Sequence, residues 1–366
     1  MIAHSATRAG EAVPLVSVIL PYYNGARTVL QTLTSLAAQD YPEMEWILVD
    51  DASAEPLPSA AQELLRARGD RGKLLRHEVN LGLSRTLNDG IRVALGPLVL
   101  IVHQDVELVE RDWVTRAVAR LMEDDRVAVV TCYYGIPAPE DLTFVMRSFG
   151  SLRRQFHRAP TRSRELVPFT EFKCDLVRKS VLDAFGGFET RFRICGEDIM
   201  LSYRIRQSGG RILKAYDLRT IQRFTGQAET LTGNLQKEFR FGESLVGALR
   251  TFGAYAFHDL GGSAYARSRS LHRASQPMVA IAGLLLLALF LLSGLLWVGV
   301  TLILFLVLRY LYYVVRLWPD FRGLLPGRGR AFVETLCAGG LGLLTDIFYP
   351  AGMMVGVVRS AIGAPL

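Results

Sequence analysis

The chain has 366 residues, of which 50% are hydrophobic, and a formal net charge of +7. This length allows one large or two medium domains, and a mean hydropathy of +0.23 is high for a purely soluble protein. An excess of basic residues suits a protein that binds nucleic acid, anionic lipid or a phosphorylated substrate. No basic, aromatic-rich stripe is present, so we expect no nucleic-acid partner. We interpret the arginines that flank the apolar C-terminal run as positive-inside residues of a membrane segment.

The four cysteines, Cys132, Cys174, Cys195 and Cys337, are far apart in sequence and form no CxxC pair. This spacing argues against a disulfide framework or a zinc ribbon and favours buried thiols in a reducing compartment. Residues 1–14 have no apolar core, so we expect no signal peptide and a cytosolic catalytic domain.

Strand and helix patterns alternate through the N-terminal part of the chain. Short apolar, β-branched runs alternate with segments whose apolar residues recur at helical spacing. Continuous apolar strands separated by helices predict an α/β fold with a mostly parallel sheet covered by helices. The predicted strands are 16–20, 45–49, a run around 74–75, and 98–102; the predicted helices are 27–38, 60–69 and 84–95.

Polar residues follow three of these predicted strands. They are Pro21 to Asn24, Asp50-Asp51, and His103-Gln104-Asp105. In open α/β sheets, ligands bind outside the carboxyl ends of the strands, so the topology gathers these residues at one edge. A single Asp at a strand end is more often a turn residue, and only the convergence of several sites favours a ligand role.

A third acidic site, Glu197-Asp198, stands at the start of a predicted helix over 198–207, where carboxylates suit the helix dipole. Two features of the region 126–225 stay open. The Arg-rich loop 153–164 is either a solvated charge run or a lid over a phosphorylated substrate. Gly186-Gly187-Phe188 is either a plain turn or a turn that anchors an aromatic ring beneath the acceptor site.

The acids predict metal-assisted binding of a nucleotide. Mg²⁺ or Mn²⁺ prefers oxygen ligands, commonly one or two carboxylates together with substrate phosphates. A carboxylate at a helix start across the cleft suits a general base. Neither GxGxxG nor GxxxxGK[ST] occurs, so the phosphates must be held in another way, for which a metal is the natural candidate.

The C-terminal third predicts a membrane module. Residues 277–315 are too long for one span, and a helical hairpin that turns near 293–299 places both flanking arginine clusters on one side. A third apolar segment, 332–358, either spans the membrane, re-enters it or lies flat on its surface. Basic and aromatic residues alternate over 236–272, which favours helices lying on the membrane surface over a helix packed on the catalytic domain. The predicted divisions are therefore 1–235, 236–276 and 277–366.

Six stretches occur in the order and spacing of family-two glycosyltransferases, and the chain resembles that family over about residues 14–225. The stretches are VSVILPYYNG, WILVDDAS, NLGLSRTLNDGI, HQDVEL, GGFETRF and GEDIMLSYRIRQSG. The resemblance implies the GT-A fold. It also implies inverting transfer of a sugar, of the hexosyltransferase type, from a nucleotide-diphosphate sugar with Mg²⁺ or Mn²⁺.

The resemblance also implies roles for individual residues. Pro21 and Tyr23 flank the nucleotide, Asp51 binds its base with Asp50 beside it, and His103 and Gln104 belong to the same nucleotide-binding group. Asp105 matches the last acid of the family's Asp-x-Asp signature and is the implied metal ligand. Asp198 matches the catalytic base, and Glu197 beside it shapes the acceptor site.

The sequence departs from the family pattern at three places. His103 replaces the first acid of Asp-x-Asp and either contacts the metal or diphosphate or makes an orienting hydrogen bond. Gln222-Arg223 stands where many relatives carry a metal-binding His. The segment from Gln236 to Phe241 only approximates the QxxRW motif of processive synthases, which argues against a long-chain synthase. His77, His157 and His258 lack an acidic partner at ligand spacing in the sequence, so we interpret them as structural.

The leading interpretation is a multi-pass protein of the cytoplasmic (inner) membrane that acts in cell-envelope polysaccharide synthesis. Its partners are a nucleotide-diphosphate sugar donor, a lipid-linked or glycan acceptor, and the membrane. A close alternative is a polyprenyl-phosphate sugar synthase. From another class, a membrane scaffold that binds nucleotide sugars without catalysis stays possible, because the first acid and the later His are missing.

Overall fold

A computed structural model describes residues 13–135, 137–153, 163–191, 196–224, 226–252 and 264–362. These residues form nine strands and eleven α-helices. The strands are β1 (Val16–Tyr22), β2 (Met44–Asp50), β3 (Gly72–Arg76), β4 (Leu98–Val102), β5 (Val106–Leu108), β6 (Val127–Gly135), β7 (Arg164–Val167), β8 (Cys174–Arg178) and β9 (Arg211–Gln222). The helices are α1 (Val29–Ala37), α2 (Ser59–Arg66), α3 (Leu83–Val93), α4 (Trp113–Met122), α5 (Phe144–Leu152), α6 (Lys179–Phe185), α7 (Glu197–Gln207), α8 (Leu231–Phe252), α9 (Ala264–Ser293), α10 (Leu296–Leu324) and α11 (Arg328–Ala361).

One sheet contains all nine strands, in the order β3-β2-β1-β4-β8-β6-β9-β5, with β7 paired to β9. The strands β3, β2, β1 and β4 are parallel, as the alternating sequence pattern predicts. The strand β8 then runs antiparallel to both β4 and β6. The four predicted N-terminal strands and three predicted helices are confirmed, with bounds that differ by one or two residues at most ends.

Helices cover both faces of this sheet. Leu33 of α1, Leu65 of α2 and Trp113 of α4 pack in one buried cluster against β1, β2 and β4. Ile91 of α3 and Leu201 of α7 pack in a second cluster on the opposite face. Because both faces are covered, β1, β2 and β4 are buried along their whole length, which explains why they read as continuous apolar runs.

A third cluster joins the sheet domain to the C-terminal helices. It contains Phe149 of α5, Leu235 of α8, Leu317 and Phe321 of α10, and Ala338 of α11. A buried ion pair links the same elements, since Arg147 of α5 lies 2.8 Å from Glu334 of α11. The C-terminal helices are therefore packed on the domain and are not a separate appendage.

Helix α11 packs on the rest of the protein along most of its length. Its buried residues recur every three or four positions and are mostly small. Near its C-terminal end, Gly352 and Gly356 lie against the backbone of Phe239 and Glu243 in α8, so closely that a Cβ atom at Gly352 would meet the Phe239 carbonyl oxygen. Close approach of this kind requires glycine. The stripe comprises Ala331, Thr335, Ala338, Gly339, Gly342, Thr345, Asp346, Tyr349, Gly352 and Gly356.

Helices α9 and α10 contain the residues of the predicted hairpin, 277–315. They are separated by Gly294 and Leu295, and Gly294 has a φ of 61°, the left-handed conformation that commonly ends a helix. Two of the predicted divisions fall within helices: 235/236 lies inside α8, and 276/277 lies inside α9. The segment 332–358 lies within one helix, α11, which includes Pro350.

The cysteines differ in part from the expectation. Cys132 of β6 and Cys174 of β8 are buried thiols whose side chains are hydrogen-bonded to each other, because antiparallel pairing brings the two positions together. Cys337 on α11 is exposed, so the prediction of a buried thiol is wrong there. Cys195, His157 and His258 lie outside the described residues.

Candidate active site

The carboxyl ends of β1, β2 and β4 meet at one edge, as predicted. The backbone N–H of Asp51 donates to the Tyr22 carbonyl at 2.8 Å, which joins the ends of β2 and β1. The Gln104 side chain joins β4 to β1. Its Oε1 accepts from the Tyr23 N–H at 2.8 Å, and its Nε2 donates to the Tyr23 carbonyl at 3.0 Å. The Gln104 amide therefore shapes the wall of the site, while the Tyr23 side chain is 49% exposed at its rim.

Asp50 and Asp51 are both buried and both have partners. Asp50 lies 2.9 Å from Arg76 of β3 and accepts from the Ser53 N–H at 2.9 Å. Asp51 accepts from the N–H groups of Leu81 and Gly82 at 2.7 and 2.9 Å. Asp51 therefore holds the loop that leads into α3, in addition to any contact with a ligand. Pro21, the neighbouring residue of β1, is buried within the sheet opposite Val49.

His77 lies between two acids, which corrects the inference from sequence that it lacks an acidic partner. Its Nδ1 is 2.8 Å from Asp51, and its Nε2 is 2.9 Å from Asp89 of α3. The sequence separations of 26 and 12 residues hid this arrangement, because the partners come together only when β3 pairs with β2. His77 thus orients Asp51 at the edge of the site.

Asp105 follows β4 and faces Gln222 at the end of β9. The Gln222 Nε2 donates to Asp105 Oδ2 at 3.2 Å, while the neighbouring Arg223 forms an ion pair with Glu107. Gln222 therefore occupies the side of Asp105 where the family resemblance implies a histidine. Its amide oxygen is a possible second ligand for a hard cation, because the O and N of an amide exchange by a simple flip.

His103 is held by its backbone, whose N–H donates to the Lys173 carbonyl at 2.8 Å. Its imidazole makes no hydrogen bond with a described residue, and its Nε2 is buried without a partner. Burial lowers the pKa of His103 to about 4, although Asp105 opposes the shift, so the ring is neutral at pH 7. A neutral imidazole with an unpartnered nitrogen beside Asp105 is free to accept a ligand contact.

Glu197 and Asp198 form the first turn of α7, as predicted. Asp198 Oδ1 accepts from the Ile199 N–H at 2.8 Å. Burial raises the pKa of both carboxyls, of Asp198 to about 7 and of Glu197 to about 8, and the charge of Asp198 adds to the shift at Glu197. The pair is thus tuned to exchange a proton near neutral pH, which is the range that a general base needs.

The segment from Glu171 to Lys173 connects these groups, and the sequence did not single it out. Lys173 Nζ lies 2.5 Å from Glu171. The charges of both residues act on His103 and on Asp198, so β4 and α7 present their polar groups to the same segment. No motif in the sequence announces this role, because it depends on where the β7–β8 connection lies.

Backbone strain marks the same edge. Among the described residues, the non-glycine residues with positive φ are Asn24, Ala52 and Phe172, which follow β1, follow β2 and precede β8. Such conformations cost about 1–3 kcal/mol each and cluster at functional sites. The Phe172 ring is buried and packs edge-on against Phe188 at a centroid distance of 5.2 Å. The Gly-Gly-Phe turn thus anchors the Phe188 ring against Phe172, the residue between Glu171 and Lys173 in the chain.

Helix α8 adds a cationic group that the sequence interpretation did not include. Arg153, at the end of α5, lies 2.8 Å from Glu238 and donates to Asn234 at 2.8 Å. The adjacent Lys237 interacts electrostatically with Arg153, Lys173 and Glu171. Of the arginine-rich loop, residues 154–162 lie outside the described residues, and Arg164 pairs with Glu123.

The described residues contain no group of three or more His, Cys, Asp or Glu side chains arranged to hold a metal ion. Mg²⁺ and Mn²⁺ do not require one, because such ions are commonly bound by one or two carboxylates together with substrate phosphates. Asp105, the Gln222 amide and the unpartnered His103 Nε2 fit a site of that kind.

Comparisons with known proteins agree with this geometry. Residues 17–186 match the family described as glycosyl transferase family 2. The chain is 32% identical over 161 residues to an uncharacterized protein from Mycobacterium tuberculosis, covering 44% of this chain and 48% of that protein. It is 27% identical over 228 residues to the O-antigen biosynthesis protein RfbC of Myxococcus xanthus, covering 57% of this chain and 17% of that protein. The chain thus spans about half or less of these relatives.

Among solved structures, the mannosyltransferase PcManGT from Pyrobaculum calidifontis, in complex with GDP-Man and Mn²⁺, has the same fold. The TM-score is 0.52 at 19% identity, and the match covers 92% of this chain and 88% of that one. Residues 17–186 therefore form a domain that matches glycosyl transferase family 2, and the arrangement of strands and helices around it is GT-A-like.

Proposed function

We propose that the chain is a membrane-anchored inverting glycosyltransferase that moves a sugar from a nucleotide-diphosphate sugar to an acceptor presented at the membrane. The observation that supports this most is the placement of Asp198. Asp198 starts helix α7, and burial raises the pKa of its carboxyl to about 7. The Glu171–Lys173 segment interacts with Asp198 and also with His103, which stands two residues before Asp105.

In this proposal Asp198 removes the proton from the acceptor hydroxyl as that oxygen attacks the anomeric carbon. A base with a pKa near 7 is ionised often enough to act and basic enough to accept the proton. Glu197, whose pKa is also raised, keeps its proton over more of the neutral range and thereby limits repulsion beside the ionised Asp198.

The donor lies at the edge formed by β1, β2 and β4. Asp50 with Arg76, and Asp51 with the loop after β3, offer groups for the base, and Tyr23 lines the rim. Asp105, with Gln222 and His103 beside it, would hold Mg²⁺ or Mn²⁺, which supplies positive charge for the leaving diphosphate when bound. The Mn²⁺ and GDP-Man in the similar mannosyltransferase support this class of donor and cofactor.

The C-terminal helices support attachment to a membrane. Helices α10 and α11 are long and apolar enough to span one, and the apolar part of α9, Met278–Ser293, is shorter. The side chains around the α9–α10 turn are strongly exposed, including Leu292 at 87% and Trp297 at 78%. Exposed apolar surface of this extent is typical of contact with lipid. We therefore propose that the α9–α10 hairpin inserts into the cytoplasmic membrane.

Helix α11 is better explained as a helix that lies flat. It packs on α8 through Gly352 and Gly356 and on α10 through the Arg309–Asp346 ion pair, and α8 carries Lys237, Glu238, Arg240, Glu243 and Arg250, which do not suit a bilayer core. Its other face exposes Val333, Ile347 and Val357 at 57–62%. One packed face and one apolar face are typical of an interfacial helix.

Turnover of a panel of nucleotide sugars by the purified full-length protein with Mn²⁺ tests the chemistry. Asp198→Asn should lower kcat by about 10²–10⁴-fold, the usual contribution of a general base. Asp183→Asn, an exposed acid on α6 paired with Lys179, is the matched control and should act as wild type. Equal turnover of Asp198→Asn and wild type would remove the proposed base.

Calorimetry of nucleoside diphosphate with Mn²⁺ tests Asp105, since Asp105→Ala should weaken binding. Supplying polyprenyl phosphate alone as the acceptor separates a polyprenyl-phosphate sugar synthase from an enzyme that extends a glycan. A reporter fused to the C-terminus tests the arrangement of the helices. With α9–α10 as a hairpin and α11 flat, the C-terminus stays on the cytoplasmic side, and an external C-terminus contradicts the proposal.

A further inference from the structure

A fully buried carboxylate holds both ends of the segment 170–174, and the proposed mechanism gives it no role. Asp175 belongs to β8 and is 0% exposed. Its Oδ1 accepts from the Thr170 hydroxyl at 2.6 Å, and its Oδ2 accepts from the Cys174 N–H at 3.1 Å. The Thr131 hydroxyl of β6 also hydrogen-bonds to this carboxylate. We refer to Asp175 with its bonds to Thr170 and Cys174 as the Asp175 clamp.

The segment that the clamp closes has a backbone conformation that needs support. Phe172, at its centre, has a φ of 48°, in the left-handed region that residues other than glycine rarely adopt. Such a conformation costs free energy and persists only where the surrounding contacts fix it. The clamp supplies two of those contacts, and the packing of the Phe172 ring on Phe188 supplies another. With Phe172 buried, Glu171 and Lys173 on either side of it stay partly exposed.

The same segment holds the two elements that carry the proposed site residues. At one end, the Thr170 N–H donates to the Ser202 hydroxyl at 3.3 Å, and Ser202 lies on α7 one turn after Asp198. Towards the other end, the Lys173 carbonyl accepts from the His103 N–H at 2.8 Å, directly after β4. The segment therefore connects the helix of the proposed base to the strand end where the metal site is proposed.

The clamp is made of groups that fold only at a cost unless they are bonded to each other. Thr170 and Ser202 are buried like Asp175, and a buried carboxylate is unfavourable unless donors surround it. Burial raises the pKa of Asp175 to about 6, although its hydrogen bonds oppose the shift, so the group is mostly ionised at pH 7. Hydrogen bonds to an ionised acceptor are stronger than neutral ones. The carboxylate thus fixes the direction of its donors, which an apolar side chain in the same place does not do.

We propose that Asp175 is a positioning residue for sugar transfer, which sets the place of α7 relative to the end of β4 through the segment 170–174. The inference rests on the proposed function, because it takes Asp198 as the base and the end of β4 as the side of the diphosphate. Asp175 itself is buried and acts only through the segment that it clamps.

This role predicts a loss of rate without a matching loss of donor affinity. The acids proposed to bind the base of the nucleotide stand at the end of β2, which β1 and β4 separate from β8 in the sheet. A looser clamp leaves that part of the site in place. It shifts the base relative to the anomeric carbon, and misplacement by about 1 Å can lower a rate about a hundredfold.

The test compares buried hydroxyls at opposite ends of the sheet in the full-length protein. Thr170→Val keeps the shape of the side chain but removes the hydroxyl that donates to Asp175, and Thr170→Ser keeps that hydroxyl. Ser17→Ala is the matched control. Ser17 is also fully buried and donates to the buried Glu45 at 2.5 Å, but at the amino ends of β1 and β2, away from the polar edge.

Turnover of a nucleotide sugar gives kcat and the donor KM of each variant. Thr170→Val should lower kcat about tenfold to a hundredfold and change the donor KM by less than about twofold. Thr170→Ser should recover most of the rate. Ser17→Ala should turn over as wild type, although its thermal stability falls because a buried carboxylate loses a donor.

Hydrogen exchange of the backbone amides, followed by mass spectrometry, reports on the clamp without turnover. Thr170→Val should speed exchange in residues 170–174 and in the first turn of α7, whereas Ser17→Ala should leave both at the wild-type rate. If Thr170→Val does not fold, Ser202→Ala replaces it, because this change removes the link to α7 and leaves Asp175 its own donors.

Wild-type kcat in a folded Thr170→Val or Ser202→Ala variant overturns the inference. A loss of kcat in Ser17→Ala as large as that in Thr170→Val overturns it as well, because lower stability then explains the effect. Unchanged exchange in α7 has the same meaning. Absence of turnover by the wild-type protein refutes the proposed function and this role with it, whereas equal turnover of wild type and Thr170→Val refutes this role alone.

Discussion

The imidazole of His77 bridges two carboxylates, with Nδ1 2.8 Å from Asp51 and Nε2 2.9 Å from Asp89. Asp51 also accepts from the backbone of Leu81 and Gly82, so this bridge fixes the loop at one end of the proposed donor site. Removing His77 leaves two acids without their shared partner. His77, which belongs to no recognisable motif, thus supports the proposed nucleotide site.

His77→Ala should lower the free energy of unfolding by about 1–3 kcal/mol, the cost of leaving buried polar groups unpaired. Thermal unfolding in detergent, with and without nucleotide, measures this effect. Affinity for UDP with Mn²⁺ should fall together with stability, because the loop held by Asp51 is part of the site. An unchanged midpoint would show that Asp51 is held by the backbone N–H groups alone.

The pH dependence of kcat/KM should reflect the acid pair on α7. Asp198 must be ionised to accept a proton, and burial raises its pKa to about 7. We therefore expect the rate to rise with pH through about 7 and to level above it. The rise belongs to Asp198 and Glu197 as a pair, because their titrations are linked. A profile that is flat from about pH 5 to about pH 8 contradicts the assignment.

The raised pKa of Asp198 also predicts an unusual effect on the stability of the protein. A carboxyl whose pKa is raised by folding contributes stability below its ordinary value of 3.8, and this contribution is lost as the pH rises through about 7. Asp198→Asn should therefore raise the unfolding temperature relative to wild type at about pH 8, and by less at about pH 5. A gain that is equal at both values would show that the ionised form carries no penalty. Asp183→Asn again serves as the control.

His103→Asp should tighten Mn²⁺ binding, because it restores a second carboxylate beside Asp105. The substitution also removes a nitrogen that has no hydrogen-bond partner, so little is lost. Calorimetry of Mn²⁺ in the presence of UDP measures the change, and His103→Asn separates added charge from altered shape. If His103→Asp leaves the affinity unchanged or lowers it, His103 does not stand in for a missing acid.

Gly352 tests the contact between α11 and α8. A methyl group there would meet the Phe239 carbonyl oxygen, so Gly352→Ala should destabilise the protein by about 1–3 kcal/mol, as overpacking does. Gly340 is the matched control on the same helix, because a Cβ there meets nothing within 4 Å. Gly340→Ala should be neutral or stabilising, since alanine favours a helix by about 1 kcal/mol over glycine. Equal stability of the two variants would contradict the packing.

The strand ends were predictable from the sequence because each depends on a local pattern, an apolar run that stops at a polar residue. Asp50, Asp51 and Asp105 were found in this way, and Asp198 by its place at a helix start. Their shared edge followed from the parallel order of β2, β1 and β4. The family resemblance then supplied roles that position alone does not indicate, and those roles stay predictions.

The remaining site residues depend on tertiary contacts that no local pattern reports. Lys173 lies beside His103, and Glu171 near it, because β8 runs antiparallel beside β4. Gln104 was grouped with the nucleotide-binding residues by adjacency, whereas its amide is bonded to the Tyr23 backbone. Two neighbouring residues at a strand end can thus differ in role, one facing a ligand and the other bonded to a neighbouring loop. Strand order and side-chain register decide which is which.

The glycine contact between α8 and α11 has a consequence for what the enzyme can reach. Helix α8 packs backbone to backbone on α11 at Gly352 and Gly356, while the Arg147–Glu334 pair ties α11 to α5. These contacts hold α11 against α8 and α5. If α11 lies on the lipid as proposed, the reaction takes place at a fixed height above the bilayer, and each acceptor must bring its own hydroxyl to that height. Selection among acceptors would follow from the length of the glycan that separates the hydroxyl from its lipid.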